Sequence, residues 1–189
     1  SIGLVGSEMC IRDRMNPLTV TWAPHKYTEI GWKNFENWIH EGGLDNVLFT
    51  PNGKLHRYLT KEAFTNLLHP FQPFIVGQRI IGPMMAAKFN VKLVFYGENQ
   101  AEYGNNVDEN YTPTMDKKFF SVDDPMDIML GGKSIRDIIS ETDFKLNDFK
   151  PYIPPKAEYL ESKGVEVHYL GYYLPWDPQE CYYYATENT

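Results

Sequence analysis

Leu93-Val94-Phe95-Tyr96-Gly97-Glu98-Asn99-Gln100-Ala101-Glu102-Tyr103-Gly104 is an apolar run that meets a glycine and then a cluster of acids and amides. A continuous apolar run of this length suits a strand buried on both faces, as in a parallel sheet. Ligands of open parallel sheets bind just past the carboxyl ends of the strands. Gly97 therefore marks a rim, and Glu98, Asn99 and Glu102 are the groups presented there. An ordinary polar strand-to-helix loop has the same composition, so these residues alone leave both readings open.

The rest of the chain supplies further strands and helices in alternation. Leu18 to Trp22 is short and β-rich and ends at Ala23-Pro24. Ile30, Trp32, Phe35, Trp38 and Ile39 recur at helical spacing, predicting a helix from about Thr28 to His40 that Gly42-Gly43 ends. Asn46 to Thr50 is a second strand, closed by the turn Pro51-Asn52-Gly53. Leu55, Leu59, Phe64, Leu67 and Leu68 suggest a further helix, broken at His69 to Pro73. Residues 75–89 read as helix again, with Pro83 a kink or break. Lys92 to Tyr96 is the third strand and Val165 to Gly171 the fourth. Asp177 is placed to cap a last helix that Pro178 opens. This alternation predicts an α/β fold, a Rossmann-like parallel sheet with helices on both faces. Residues 104–160 are patchier and read as an insertion or lid-like region. Within it Ser134-Ile135-Arg136-Asp137 opens a short helix as a capping box, and Lys150 to Pro155 is extended. Gly131-Gly132-Lys133-Ser134 resembles a phosphate-binding loop only superficially, because Asp127 stands where that pattern requires its first glycine.

Residues 1–14 have a different origin. Leu4 to Arg14 resemble the translation of a sequencing-library transposon adapter, so this segment is set aside as a scar. It is not a signal peptide, because Glu8, Arg12, Asp13 and Arg14 interrupt any apolar core. Native sequence is expected from about Met15 or Asn16. The chain carries 18 basic and 25 acidic residues, a net charge of −7. That balance argues against a nucleic-acid partner. No apolar run approaches membrane-spanning length. Of the two cysteines, Cys10 lies in the scar and Cys181 stands alone, so neither a disulfide framework nor a cysteine-based zinc site is expected. A cytoplasmic setting fits.

Several blocks are long and compositionally unusual: Thr21-Trp22-Ala23-Pro24-His25, Ile30 to Phe35, Leu48 to Lys54, Leu68 to Gln78, Tyr96 to Gly104, and His168 to Tyr173 with Trp176 to Glu180. On these blocks residues 16–189 resemble the N-acetyl sugar amidotransferases, enzymes of surface-polysaccharide and sialic-acid-like sugar synthesis in the PP-loop ATPase superfamily. The resemblance implies ATP and Mg²⁺ as cofactors. It implies conversion of a sugar acetamido group to an acetamidino group in lipopolysaccharide, O-antigen or related glycan synthesis. Adenylylation makes the amide oxygen a leaving group, and ammonia from a partner glutaminase subunit displaces AMP. The family's Ser-Gly-Gly-x-Asp-Ser loop does not occur in these 189 residues. It belongs after a first strand central to the sheet. The chain is therefore expected to lack that strand, to be poorly stable and to be inactive alone.

The resemblance also implies site residues. Glu102 is the metal-side and catalytic candidate. Asn99 orients substrate, and Glu98 stands where many superfamily members have histidine. Thr21, Trp22, Ala23 and Gly97 lie where adenine nucleotide is bound. His25, Gln78, Arg79, Tyr172, Tyr173 and Trp176 are candidates for contact with the acetamido sugar. For each the residues themselves leave an ordinary structural role open: core packing for Trp22, a surface ion pair for Arg79, loop solvation or helix capping for Glu102. A different PP-loop activity, or a nucleotide- or sugar-binding module without turnover, are the alternatives.

Overall fold

The computed structural model describes residues 16–97, 112–120, 122–175 and 177–188. The adapter-like segment, with any strand from Ile2 to Val5, lies outside them. So do Glu98, Asn99, Glu102 and Trp176.

The first unit is a parallel pair, β1 (Leu18–Trp22) and β2 (Asp45–Phe49), in the register Val20 to Val47 and Trp22 to Phe49. Period-two alternation puts Val20, Trp22, Val47 and Phe49 on one face. On the other, Asn46 Nδ2 donates to both Thr19 Oγ1 (2.7 Å) and Thr21 Oγ1 (3.0 Å), tying the strands together through side chains. Helix α1 (Glu29–His40) connects the strands. Thr28 caps it by accepting from the Gly31 N–H. None of its residues is buried, and Ile30 and Trp32 are exposed.

Two longer helices follow. The turn expected at Pro51-Asn52-Gly53 is the start of α2 (Gly53–Leu67), where Asn52 Oδ1 accepts from the N–H groups of Lys54 and Leu55. It ends with Leu68 in the left-handed conformation. Helix α3 (Gln72–Phe89) begins with Pro73 in its first turn and runs through Pro83, which is buried. It packs against both β1 and the third strand, β3 (Leu93–Tyr96).

Gly77 explains how closely α3 approaches β1. A Cβ there would overlap the Trp22 indole, with Cε2 only 2.6 Å away. Gly77→Ala gains about 1 kcal/mol of helix propensity but must displace a packed ring, which costs about 1–3 kcal/mol or more. Net destabilisation is expected in urea unfolding. A more stable variant would show that the helix and the indole can separate freely.

β3 pairs in parallel with β6 (Glu166–Tyr169). The other edge of β6 takes an antiparallel segment, with Met115 N–H donating to Val167 C=O and Tyr169 N–H to Pro113 C=O, each at 2.8 Å. The described parallel strands do not join in one hydrogen-bonded sheet; a gap between the first and third strands goes with the expectation that a central strand is missing. Among the described residues β1–β2 and β3–β6 are separate parallel pairs, and β4 (Met129–Leu130) with β5 (Lys133–Ser134) is a small antiparallel hairpin. The reason is visible in the hydrogen bonding. Ala23 N–H donates to Phe49 C=O, so by alternation Val20 and Trp22 turn their backbone groups away from β2. Glu166 N–H donates to Lys92 C=O, so Leu93 and Phe95 turn theirs away from β6. No described strand bridges these two edges.

Burial on both faces also fails for β3. Val94 and Tyr96 face α3, whereas Leu93 and Phe95 are exposed. An unbroken apolar run fits a strand with one open face as well as one with two covered faces.

The segment read as an insertion contributes to the main core. Leu130, Ile135, Ile138, Phe149 and Tyr152 are buried with Trp22, Leu55, Leu59 and Ile81. The hairpin turn Gly131-Gly132 has φ of 63° and 82°, conformations suited to glycine. Its amides are occupied, since Gly131 N–H donates to Gln72 Oε1 and Gly131 C=O accepts from Asn66 Nδ2. Helix α4 (Ile135–Glu141) opens with the expected cap, Asp137 N–H donating to Ser134 Oγ at 3.1 Å. Of the stretch expected to be extended, Lys150 to Tyr152 instead close a 3₁₀ helix (Leu146–Tyr152) that turns Phe149 and Tyr152 inward, and the chain is extended from Ile153. Helix α5 (Ala157–Ser162) precedes β6. Helix α6 (Pro178–Asn188) is capped by Asp177 Oδ1, which accepts from the N–H groups of Gln179 (2.8 Å) and Glu180 (3.2 Å). No described helix is long and apolar enough to cross a membrane.

Candidate functional site

The carboxyl end of β1 carries the densest group of functional side chains. Trp22 ends the strand and is 4 % exposed. Its ring lies 4.9 Å from Phe49, 5.5 Å from Tyr152 and 6.2 Å from His56. His56 sits in the second turn of α2, only 7 % exposed. Its Nδ1 is 2.7 Å from the Tyr152 hydroxyl, and the two rings are nearly parallel. His25, two residues past Ala23, closes the group from outside. Its ring stands perpendicular to His56 at 4.8 Å, between Phe71 (5.8 Å) and Phe74 (5.7 Å).

Burial dominates the electrostatics. It lowers the His56 pKa to about 4, with the neighbouring His25 adding to the shift. It also raises the Tyr152 pKa. Both side chains are therefore neutral near pH 7. The buried phenol has one hydrogen-bond partner among the described residues, His56 Nδ1. The phenol proton must go there, which leaves the imidazole proton on Nε2. His56 Nε2 and Trp22 Nε1 are both buried and have no hydrogen-bond partner among the described residues.

The other predicted residues fall into separate groups. Thr21 is half-buried and bonded to Asn46, and the Ala23 N–H is committed to Phe49. Gln78 and Arg79 meet β3, because the Tyr96 hydroxyl donates to their carbonyls at 3.2 and 2.6 Å. The Arg79 guanidinium lies 4.2 Å from the centre of the Phe119 ring, a cation–π contact rather than a surface ion pair. Tyr172 and Tyr173 are exposed beyond β6. The Tyr173 hydroxyl is 2.6 Å from His168 Nδ1, and His168 Nε2 is 3.2 Å from Glu166. Gly97 is an exposed bend after β3. Trp22 and His25 thus share a cluster. Gln78 and Arg79 adjoin it along α3, and Tyr172 and Tyr173 belong to the β3–β6 pair.

His56 and Tyr152 were not singled out in the sequence. They are 96 positions apart, and neither lies in a motif. The asparagine cap ahead of α2 is the one local cue that a helix start faces this rim. A surface cleft beside β6, lined by Thr114, Met115, Phe120, Leu160, Val165 and Val167, contains none of the predicted site residues.

The described residues do not fit the implied cofactors by themselves. No group of three or more metal-capable side chains occurs among them. In the glycine turn Gly131-Gly132 the Gly131 amide and carbonyl are both engaged. The chain matches no family model, and no curated protein matches it.

Proposed function

We propose that this chain is part of an ATP-dependent amidotransferase that converts a sugar acetamido group to an acetamidino group, with ammonia from a glutaminase partner. The observation that carries the reading is positional. Four of the six blocks that resemble the family reach carboxyl ends of parallel strands: Thr21 to His25 after β1, Thr50 to Lys54 after β2, Tyr96 and Gly97 after β3, and Leu170 to Tyr173 after β6; the other two, Ile30 to Phe35 and Leu68 to Gln78, lie in α1 and at the start of α3. Such ends are where α/β sheets hold ligands. β1 and β3 both pack on one helix, α3, yet belong to separate pairs, and in this reading a further strand lies between them. In this reading that strand and the phosphate-binding loop come from sequence outside these 189 residues.

The experiment joins the native upstream coding sequence to residue 16. The joined protein is expected to release AMP and pyrophosphate only with ATP, ammonia and an acetamido sugar together. Release of ADP, or turnover without the sugar, would overturn the proposal. In that protein Glu102→Gln should depress turnover by about 10²-fold or more if Glu102 meets developing charge at the reacting centre, with an unchanged melting temperature. Unaltered turnover would remove Glu102 from the site and leave the family reading standing.

A further inference from the structure

We infer that Trp22 and His56 form the floor of a binding site for a neutral planar group bearing a carbonyl oxygen, of amide type, reached by displacement of the His25 side chain. The two orphan donors carry the inference. Folded proteins rarely leave buried polar groups unpaired, because an unmade bond forfeits the hydration the group had in the unfolded chain. Here two N–H donors, Trp22 Nε1 and His56 Nε2, lie in one aromatic cluster with no acceptor among the described residues. Their polarity selects an acceptor as ligand. A carbonyl oxygen has two lone pairs and can accept from both.

The surroundings select a neutral ligand over an anionic one. Phe49 and Tyr152 pack on Trp22, and Phe71 and Phe74 pack on the His25 ring that covers His56, so the wall beside the donors is aromatic. Desolvating a carboxylate or phosphate against that wall is costly. A flat amide presents an oxygen to the donors and its faces to the rings.

His25 is the movable part. It is exposed and touches His56, Phe71 and Phe74 through ring contacts, with no hydrogen bond to a described residue. Rotating it outward uncovers the His56 edge without disturbing β1, whose last ladder bond is at Ala23. The inference stands on the donors and does not rest on the amidotransferase reading, so either can fail without the other.

The test is a titration of the ¹⁵N-labelled 189-residue chain with benzamide, benzoate and toluene. The Trp22 indole resonance is identified by its loss in Trp22→Phe. Benzamide is expected to move the Trp22 Nε1–H and His56 Nε2 signals saturably. Benzoate should act more weakly and toluene, lacking an acceptor, should leave both in place. His25→Ala should bind benzamide more tightly by removing the plug. The inference is overturned by an absence of saturable shifts in both wild type and His25→Ala, or by an equal response to toluene. It is also overturned if a water cross-peak to both donors persists at saturating benzamide.

Discussion

Trp22→Ala is expected to lower the unfolding free energy by about 3–5 kcal/mol, the range for truncating a buried large aromatic. The residue joins three layers. It ends β1, packs closely against Gly77 of α3, and meets Tyr152 of the 3₁₀ segment at 5.5 Å. Gly77 has no side chain with which to refill the space, and Phe49 is held by the β2 ladder, so the cavity cannot close cheaply. Urea unfolding followed by circular dichroism gives the measurement, with a shifted midpoint and an unchanged slope. Trp32→Ala is the control. That indole is exposed on α1, and its loss should change stability little. Equal losses at the two positions would show that Trp22 is not a centre of the core.

Acidification should destabilise the fold through His56. Its pKa is about 4 in the folded protein against an ordinary value of 6.5. A depressed folded value means that the folded state favours the neutral imidazole. The associated stability is fully present above pH 6.5 and is lost as pH falls from there through 4. The shift corresponds to on the order of 3 kcal/mol across that window. Unfolding midpoints measured between pH 7 and pH 4 should fall steeply. In His56→Gln the same profile should be flatter between pH 6.5 and pH 4. Parallel profiles for the two proteins would show that His56 is hydrated in the folded state. The direction distinguishes this group from a salt-bridged histidine, which would stabilise on acidification.

Element type was legible where the local signal was complete. The spacing of Ile30, Trp32, Phe35, Trp38 and Ile39 predicts α1, and the helix runs Glu29–His40. Ser134 and Asp177 sit where capping chemistry places them. Boundaries failed where a residue has two uses. Asn52-Gly53 reads as a turn, yet the same asparagine oxygen caps a helix. Pro151 reads as extended, yet a 3₁₀ turn accepts it and buries its neighbour Tyr152.

Local sequence was enough to specify the strands and most of the helices between them, because hydrophobic period, caps and breakers act over a few residues. The pairing of β3 with β6 was set by tertiary structure. Tertiary packing had to decide which faces are covered. Leu93 to Tyr96 is equally apolar whether one side or two are packed, and only the position of α3 leaves Phe95 open. It also had to decide the candidate site. A histidine on α2, a tyrosine 96 positions later and a tryptophan at a strand end carry no shared pattern. They meet because Gly77 lets α3 press Trp22 toward α2 and because the 3₁₀ segment turns Tyr152 inward. The shift in the His56 pKa follows from that burial, a property of the assembled core that no stretch of chain possesses alone.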